Sequence, residues 1–275
     1  MARARRGIRV IHVWRLAIFV VLVGAWEWLT GIKAISKTPG LYWIDPFFIS
    51  RPSVIARRFA YLMSGDVRLT LWQMALSTVQ STLWGFVVGV STGFVAGLML
   101  GRNDRLARIF EPYIVAFNSL PRIALVPLIT MIFGFGLLAK VVLAWTIVFF
   151  IVFFNTFQGA RSVDADLVHA ARFLGAGPRQ VMTTVVVPSA LAWTFAALTP
   201  SISFALIGVV VGEFLGGESG GGLGYLIIQS LGTLNAADMM VALLTLGLIG
   251  IVMALGIKQV ERRLLRWRPE YRRPA

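Results

Sequence analysis

Six long stretches of this chain are almost free of charge, and that pattern limits its fold more than any other feature. A helix needs roughly 20 largely apolar residues to cross about 30 Å of hydrocarbon, because lipid offers no partner for an unpaired backbone N–H or C=O. The stretches run from Trp14 to Gly31, Ala75 to Leu100, Tyr113 to Phe133, Leu137 to Phe157, Leu191 to Leu215 and Ala237 to Ile257. They predict an all-α, polytopic membrane protein with six transmembrane helices. Of 275 residues 57% are hydrophobic and 14% charged, whereas ordinary soluble domains carry about 25% charged residues.

The start of the chain, Arg-rich and then apolar, has the order of a secretory signal. Trp26, Glu27 and Trp28 stand where a cleavage site needs small residues, so the segment reads as an uncleaved first span. A net charge of +14 could point to nucleic acid. The Lys and Arg residues lie between apolar stretches and at the ends, however, not along one face of a domain, and no nucleic-acid partner is expected. There is no Cys, and His12 and His169 are the only His residues. No metal site and no catalytic residue are expected from that inventory.

Lys and Arg also orient the chain, since they accumulate on the cytoplasmic side. With the N-terminus inside, the cytoplasmic segments hold 18 of them and the outer ones 7; Arg122, inside a span, completes the 26. Both termini are thus expected in the cytoplasm. Residues 1–13 read as a basic N-terminus, 14–257 as the transmembrane domain and 258–275 as a basic C-terminus. The outer segment from Ile32 to Met74 contains Pro39, Pro46 and Pro52, after which Ser53 opens a short amphipathic stretch with Val54, Ile55, Phe59 and Leu62. It reads as an interfacial helix.

Gly85, Gly89, Gly93, Gly97 and Gly101 recur every four residues and leave one face of the second span as nearly bare backbone. Such a face lets another helix approach closely, either within the chain or in a second subunit. Among the ionisable residues of the spans, Glu213 is a candidate for the path or gate, or else reaches the interface. Arg122, between Pro121 and Pro127, carries the same two readings.

The cytoplasmic segment between spans four and five, 159–189, is the most informative. Ser162 can cap a short helix with Asp164 and Asp166 in its first turn and Arg172 late. Val163, Leu167, Ala170, Ala171 and Leu174 then form an apolar stripe with small residues at its centre. Gly175 can end this helix, Pro178 can start another, and Pro188 is expected to stop that one before span five. The stripe suits a shallow groove on a partner, or the chain's own membrane face.

His169-Ala170-Ala171, then Gly175, then Val185-Val186-Val187-Pro188 resembles the EAA loop of bacterial ABC importer permeases, in register and without a gap. His169 stands where the family has Glu, and Val185 and Val187 where it has Ile and Leu, so a polar contact made by that Glu does not carry over. Asn118 to Arg122, Ala124 to Leu128, Phe133 to Gly136, Gly159 to Arg161 and Gly220 to Tyr225 extend the resemblance to the permeases of the nitrate, taurine and aliphatic sulfonate group.

The resemblance implies a type I ABC importer permease fold. It implies two copies of an ATP-binding subunit carrying ATP and Mg²⁺, a second permease copy, an extracytoplasmic solute-binding protein and surrounding lipid. It makes Val163, Leu167, His169, Ala170, Ala171, Leu174, Gly175 and Pro188 parts of the ATPase-docking loop, in a bacterial plasma membrane, with a small anionic solute as cargo. The chain contains no Gly-Lys dipeptide, hence no phosphate-binding loop, and no cofactor of its own is expected. A passive channel or an ion-coupled transporter is the alternative, and the spans show almost no paired acids and bases to support it.

Overall fold

The computed structural model describes residues 2–32, 44–65, 68–216 and 221–265, and no strand occurs among them. In chain order the helices are α1 (Ala2–Leu29), α2 (Pro46–Ile49), α3 (Pro52–Met63), α4 (Leu71–Gly101), α5 (Asp104–Ser119) and α6 (Val126–Phe133). There follow α7 (Leu137–Arg161), α8 (Ala165–Phe173), α9 (Pro178–Val181), α10 (Val187–Leu215), α11 (Leu223–Gly232) and α12 (Ala236–Leu264). Four segments are each long and apolar enough to span a membrane: α4, α7, the continuous run Pro178–Leu215, and α12.

The third expected span, Tyr113 to Phe133, is not one straight helix. Asp104–Ser119 and Arg122–Phe133 meet at 84° and make a broken span. Pro121 is the cause: its ring pushes Leu120 out of the helical region to φ −68°, ψ 130°, and it supplies no N–H to continue the ladder. The first expected span, Trp14 to Gly31, falls mostly on α1, which runs from Ala2 to Leu29 and is not among the segments that meet this length and hydropathy test. At the other end α12 runs past Ile257 to Leu264. Residues 266–275 of the basic tail lie outside the described residues.

The chain forms two compact units, Met1–Trp72 with Leu226–Thr245, and Gln73–Tyr225 with Leu246–Ala275. In the first unit the expected interfacial helix is α3, opened by Pro52 at its first turn, with Ile55 and Leu62 buried. Ser53 ties it to α1 by donating from its backbone N and its hydroxyl to the Glu27 carboxylate, at 2.9 and 2.8 Å. Arg58 makes a paired bond to Asp238 at the start of α12, both distances 2.6 Å. That carboxylate holds the Arg58 guanidinium above its ordinary range.

In the second unit α7 is the central helix. Its Ala144, Val148 and Val152 pack with Leu198, Ile202, Ala205 and Val209 of α10 and with Phe86 of α4. Thr156 and Thr194 hydrogen-bond across the α7–α10 seam at 2.8 Å. The glycine face of α4 lies against α7. A Cβ on Gly93 or Gly97 would meet the carbonyl oxygens of Phe149 and Phe153 at 2.7 Å. A Cβ on Gly85 or Gly89 would instead meet the side chains of Ala144 and Val148 first. Of the two sequence readings of this face, packing within the chain is the one the structure contains.

Candidate functional site

The segment 159–189 begins where α7 ends. Ser162 is the C-cap of α7, not the N-cap of the next helix; that position belongs to Asp164, whose side chain accepts from the backbone N–H of Asp166. Ser162 donates to Gly159 O instead, so its hydroxyl is spent one turn early. The helix α8 ends at Gly175, whose φ of +88° is the left-handed conformation that glycine adopts freely. Gly175 N then donates to Arg172 O and Ala176 N to Ala171 O.

Pro188 does not stop the following helix. A π-helical turn, Met182–Val186, precedes it and lets α9 run on into α10. The wider turn makes room for the proline ring and its missing N–H, which a regular helix interior could not do.

The expected apolar stripe on α8 divides between two faces. Val163 and Ala171, with Val168 and Ala176, turn toward the chain's own cluster of Ala160, Val181, Val186 and Ala190. Leu167, His169, Ala170, Leu174 and Gly175 stay exposed. Phe173 is 92% exposed and Leu174 89%. Val163 and Ala171 are thus half-buried against the chain's own cluster, and Phe173, which the sequence reading left out of the stripe, is one of the most exposed apolar side chains. The reason is that a nine-residue helix has room for two apolar faces, and residue period alone does not say which one meets the chain itself.

Glu213, one of the two path or gate candidates, has no exposed surface among the described residues. It is fully buried, 3.3 Å from Lys140 Nζ on α7, itself 4% exposed. Thr78 Oγ1 lies 2.9 Å from the same carboxylate, and Gly224 N donates to it at 2.9 Å. Lys140 also donates to Ser77 Oγ and Gly221 O, both at 3.0 Å. A Cβ on Gly222 would overlap the Glu213 carboxylate. From Gly221 on, this glycine-rich stretch is a tight seat over an ion pair; residues 217–220 lie outside the described residues. Lys140, near the start of the fourth expected span, is the base paired with this acid.

Arg122 opens the 3₁₀ turn Arg122–Leu125 at the break between α5 and α6. Its guanidinium donates to Asn118 O, to Leu120 O at 2.8 Å and to Asn118 Oδ1 at 2.9 Å. The carbonyls freed where α5 stops are thereby satisfied without water. The same group lies 4.8 Å over the Phe150 ring of α7. The sequence stretch Asn118 to Arg122 is thus the hinge of the broken span, and Arg122 is half-buried at it.

Comparison with known proteins decides between the transport readings. Residues 89–266 match the family described as binding-protein-dependent transport system inner membrane component. This chain belongs to that family. It is the membrane-spanning permease of an ATP-driven importer that works with a binding protein, and ATP hydrolysis falls to a separate subunit. Membership excludes the channel and ion-coupled alternatives, despite the buried Lys140–Glu213 pair.

Among relatives, the putative aliphatic sulfonates permease SsuC of Bacillus subtilis is 27% identical over 261 residues, 93% of this chain and 88% of its own. The riboflavin permease RibX of Chloroflexus aurantiacus is 33% identical, covering 80% of this chain and 81% of its own. The taurine permease TauC of Escherichia coli is 27% identical, covering 82% of each. A chain of the MetNI methionine ABC transporter, solved facing inward, superposes with a TM-score of 0.55 at 24% identity, over 76% of this permease and 97% of that chain. The fold is that of type I importer permeases.

Proposed function

We propose that two identical copies of this permease form the translocation path in a bacterial plasma membrane, with both termini cytoplasmic. Two ATPase subunits, holding ATP and Mg²⁺, dock on the exposed side of α8, and a solute-binding protein delivers cargo from outside. Closure of the ATPase pair would move α8, and with it α7 and α10, between packed arrangements. The observation that supports this most is the pair Phe173 and Leu174, large apolar side chains left almost wholly in water at the tip of a cytoplasmic helix. Such anchors are what a protein partner buries.

The path runs past the break between α5 and α6, where Arg122 offers a positive charge at membrane depth. Broken spans present backbone and charge to a solute where an unbroken helix cannot. A small anion is the cargo class that Arg122 supports, in agreement with the sulfonate and taurine relatives. The docking test is co-purification. The tagged chain in mild detergent should bring down its ATPase, and Phe173→Asp, which places a charge at the anchor without straining Gly175, should lose it. If well-inserted wild-type permease brings down no ATPase, the assembly reading fails.

A further inference from the structure

On α5, Asp104, Arg108 and Glu111 fall at i, i+4 and i+7 and share one face. That face turns toward α7, where all three line a cavity of about 400 Å³. Ile109, Phe110, Tyr113 and Phe117 lie on the other side of the helix and are 60%, 46%, 61% and 61% exposed. The helix is therefore amphipathic with its apolar face outward, the reverse of a helix on the surface of a soluble domain. Along both walls of the cavity polarity falls in the same direction. On α5 the charged residues give way to Ile114 and Val115; on α7, followed back from its end, Arg161 gives way to Phe157 and Phe154. A lipid leaflet has the same gradient, from headgroup to acyl chain.

The charges at the mouth balance, with Asp104 and Glu111 against Arg108 and Arg161. Arg161 is already paired with Asp104 at 3.1 Å and lies 5.4 Å over the Phe157 ring. Arg108 and Glu111 bond to no other described residue. A pocket of bases alone selects an anionic headgroup. This one offers an unspent cation and an unspent anion three residues apart on one face, about 5–6 Å from Cβ to Cβ. We propose that the cavity holds a zwitterionic phospholipid with an ethanolamine headgroup, its phosphate on Arg108 and its ammonium on Glu111. The start of one acyl chain lies along Val115 and Phe154, and the rest of the lipid stays in the bilayer. A choline headgroup lacks the N–H groups that Glu111 would accept, and a glycerol headgroup lacks the cation. A hydrogen bond to a charged group is worth about tenfold in affinity at the low end.

Native mass spectrometry of the full chain, purified in mild detergent, tests this. Given equal amounts of phosphatidylethanolamine, phosphatidylcholine and phosphatidylglycerol with identical chains, the permease should retain the ethanolamine lipid about tenfold over each of the others. Glu111→Gln should bring that lipid down to the level of the other two, whose unchanged retention shows that the variant is folded. Arg105→Gln, a charge change on the same helix outside the cavity lining, should leave the preference intact. An ethanolamine lipid carrying a diazirine in its chain should cross-link to Val115 or Phe154. Glycerophosphoethanolamine, the same headgroup without chains, should not displace it. Equal retention of the three lipids would overturn the inference, as would a preference that survives Glu111→Gln or cross-links confined to other helices. Displacement by the free headgroup would also overturn it and make the cavity a site for a soluble zwitterion.

Discussion

Lys140 and Glu213 are both buried and 3.3 Å apart, so each is tolerable only while the other is present. Removing one partner of a buried pair strands a charge and costs about 3–5 kcal/mol, whereas neutralising both is often close to neutral. Lys140→Met should therefore lower thermal stability in detergent sharply, and Lys140→Met combined with Glu213→Gln should recover most of it. If the double variant unfolds as early as the single one, the pair is not what makes Lys140 necessary. Gly222→Ala belongs with these: its methyl would overlap the Glu213 carboxylate, and loss of stability is expected there although the residue bears no functional group.

At the scale of elements, the close approach of α4 to α7 depends on what each glycine faces. Gly93 and Gly97 abut backbone carbonyl oxygens, which cannot move without moving α7, while Gly89 mainly meets the Val148 side chain. Overpacking of this kind costs about 1–3 kcal/mol. Gly93→Ala should therefore lower the unfolding temperature in detergent more than Gly89→Ala; equal shifts would mean that the helices part freely. For α8, Gly175→Ala forces an L side chain into φ +88° at about 1–2 kcal/mol. It should weaken ATPase retention less than Phe173→Asp does, because it disturbs the helix end and leaves the apolar anchor in place. A pull-down with quantified ATPase decides the order.

At the scale of the whole molecule, the charge distribution predicts that reporters fused to either end are active only when they function in the cytoplasm. A fusion that works only outside at either end would invert the topology. Reconstituted with its partners, the permease should support ATP hydrolysis that rises when loaded binding protein is added.

What the sequence determined by itself follows from the solvent. A bilayer demands long apolar helices and favours Lys and Arg on one side, so the helical class and the proposed orientation can be read from residue order alone, while of the six expected spans four segments, or five with the broken pair, are long and apolar enough to cross. The end of α8 at Gly175 and the start of α9 at Pro178 were legible too, because a glycine and a proline act on their own neighbours, whereas the π-helical turn that carries the chain through Pro188 was not. Pro121 shows the limit of that locality: its effect on Leu120 is local, yet the 84° bend it permits is held by Arg122 reaching back to Asn118 and out to Phe150. Only the tertiary structure decided which face of α8 turns inward, that Glu213 meets Lys140, and that Phe154 and Phe157 line a cavity beside Asp104 and Arg108 of α5. Each of those depends on which distant residues meet once the helices pack, and periodicity along one helix carries no information about its neighbour.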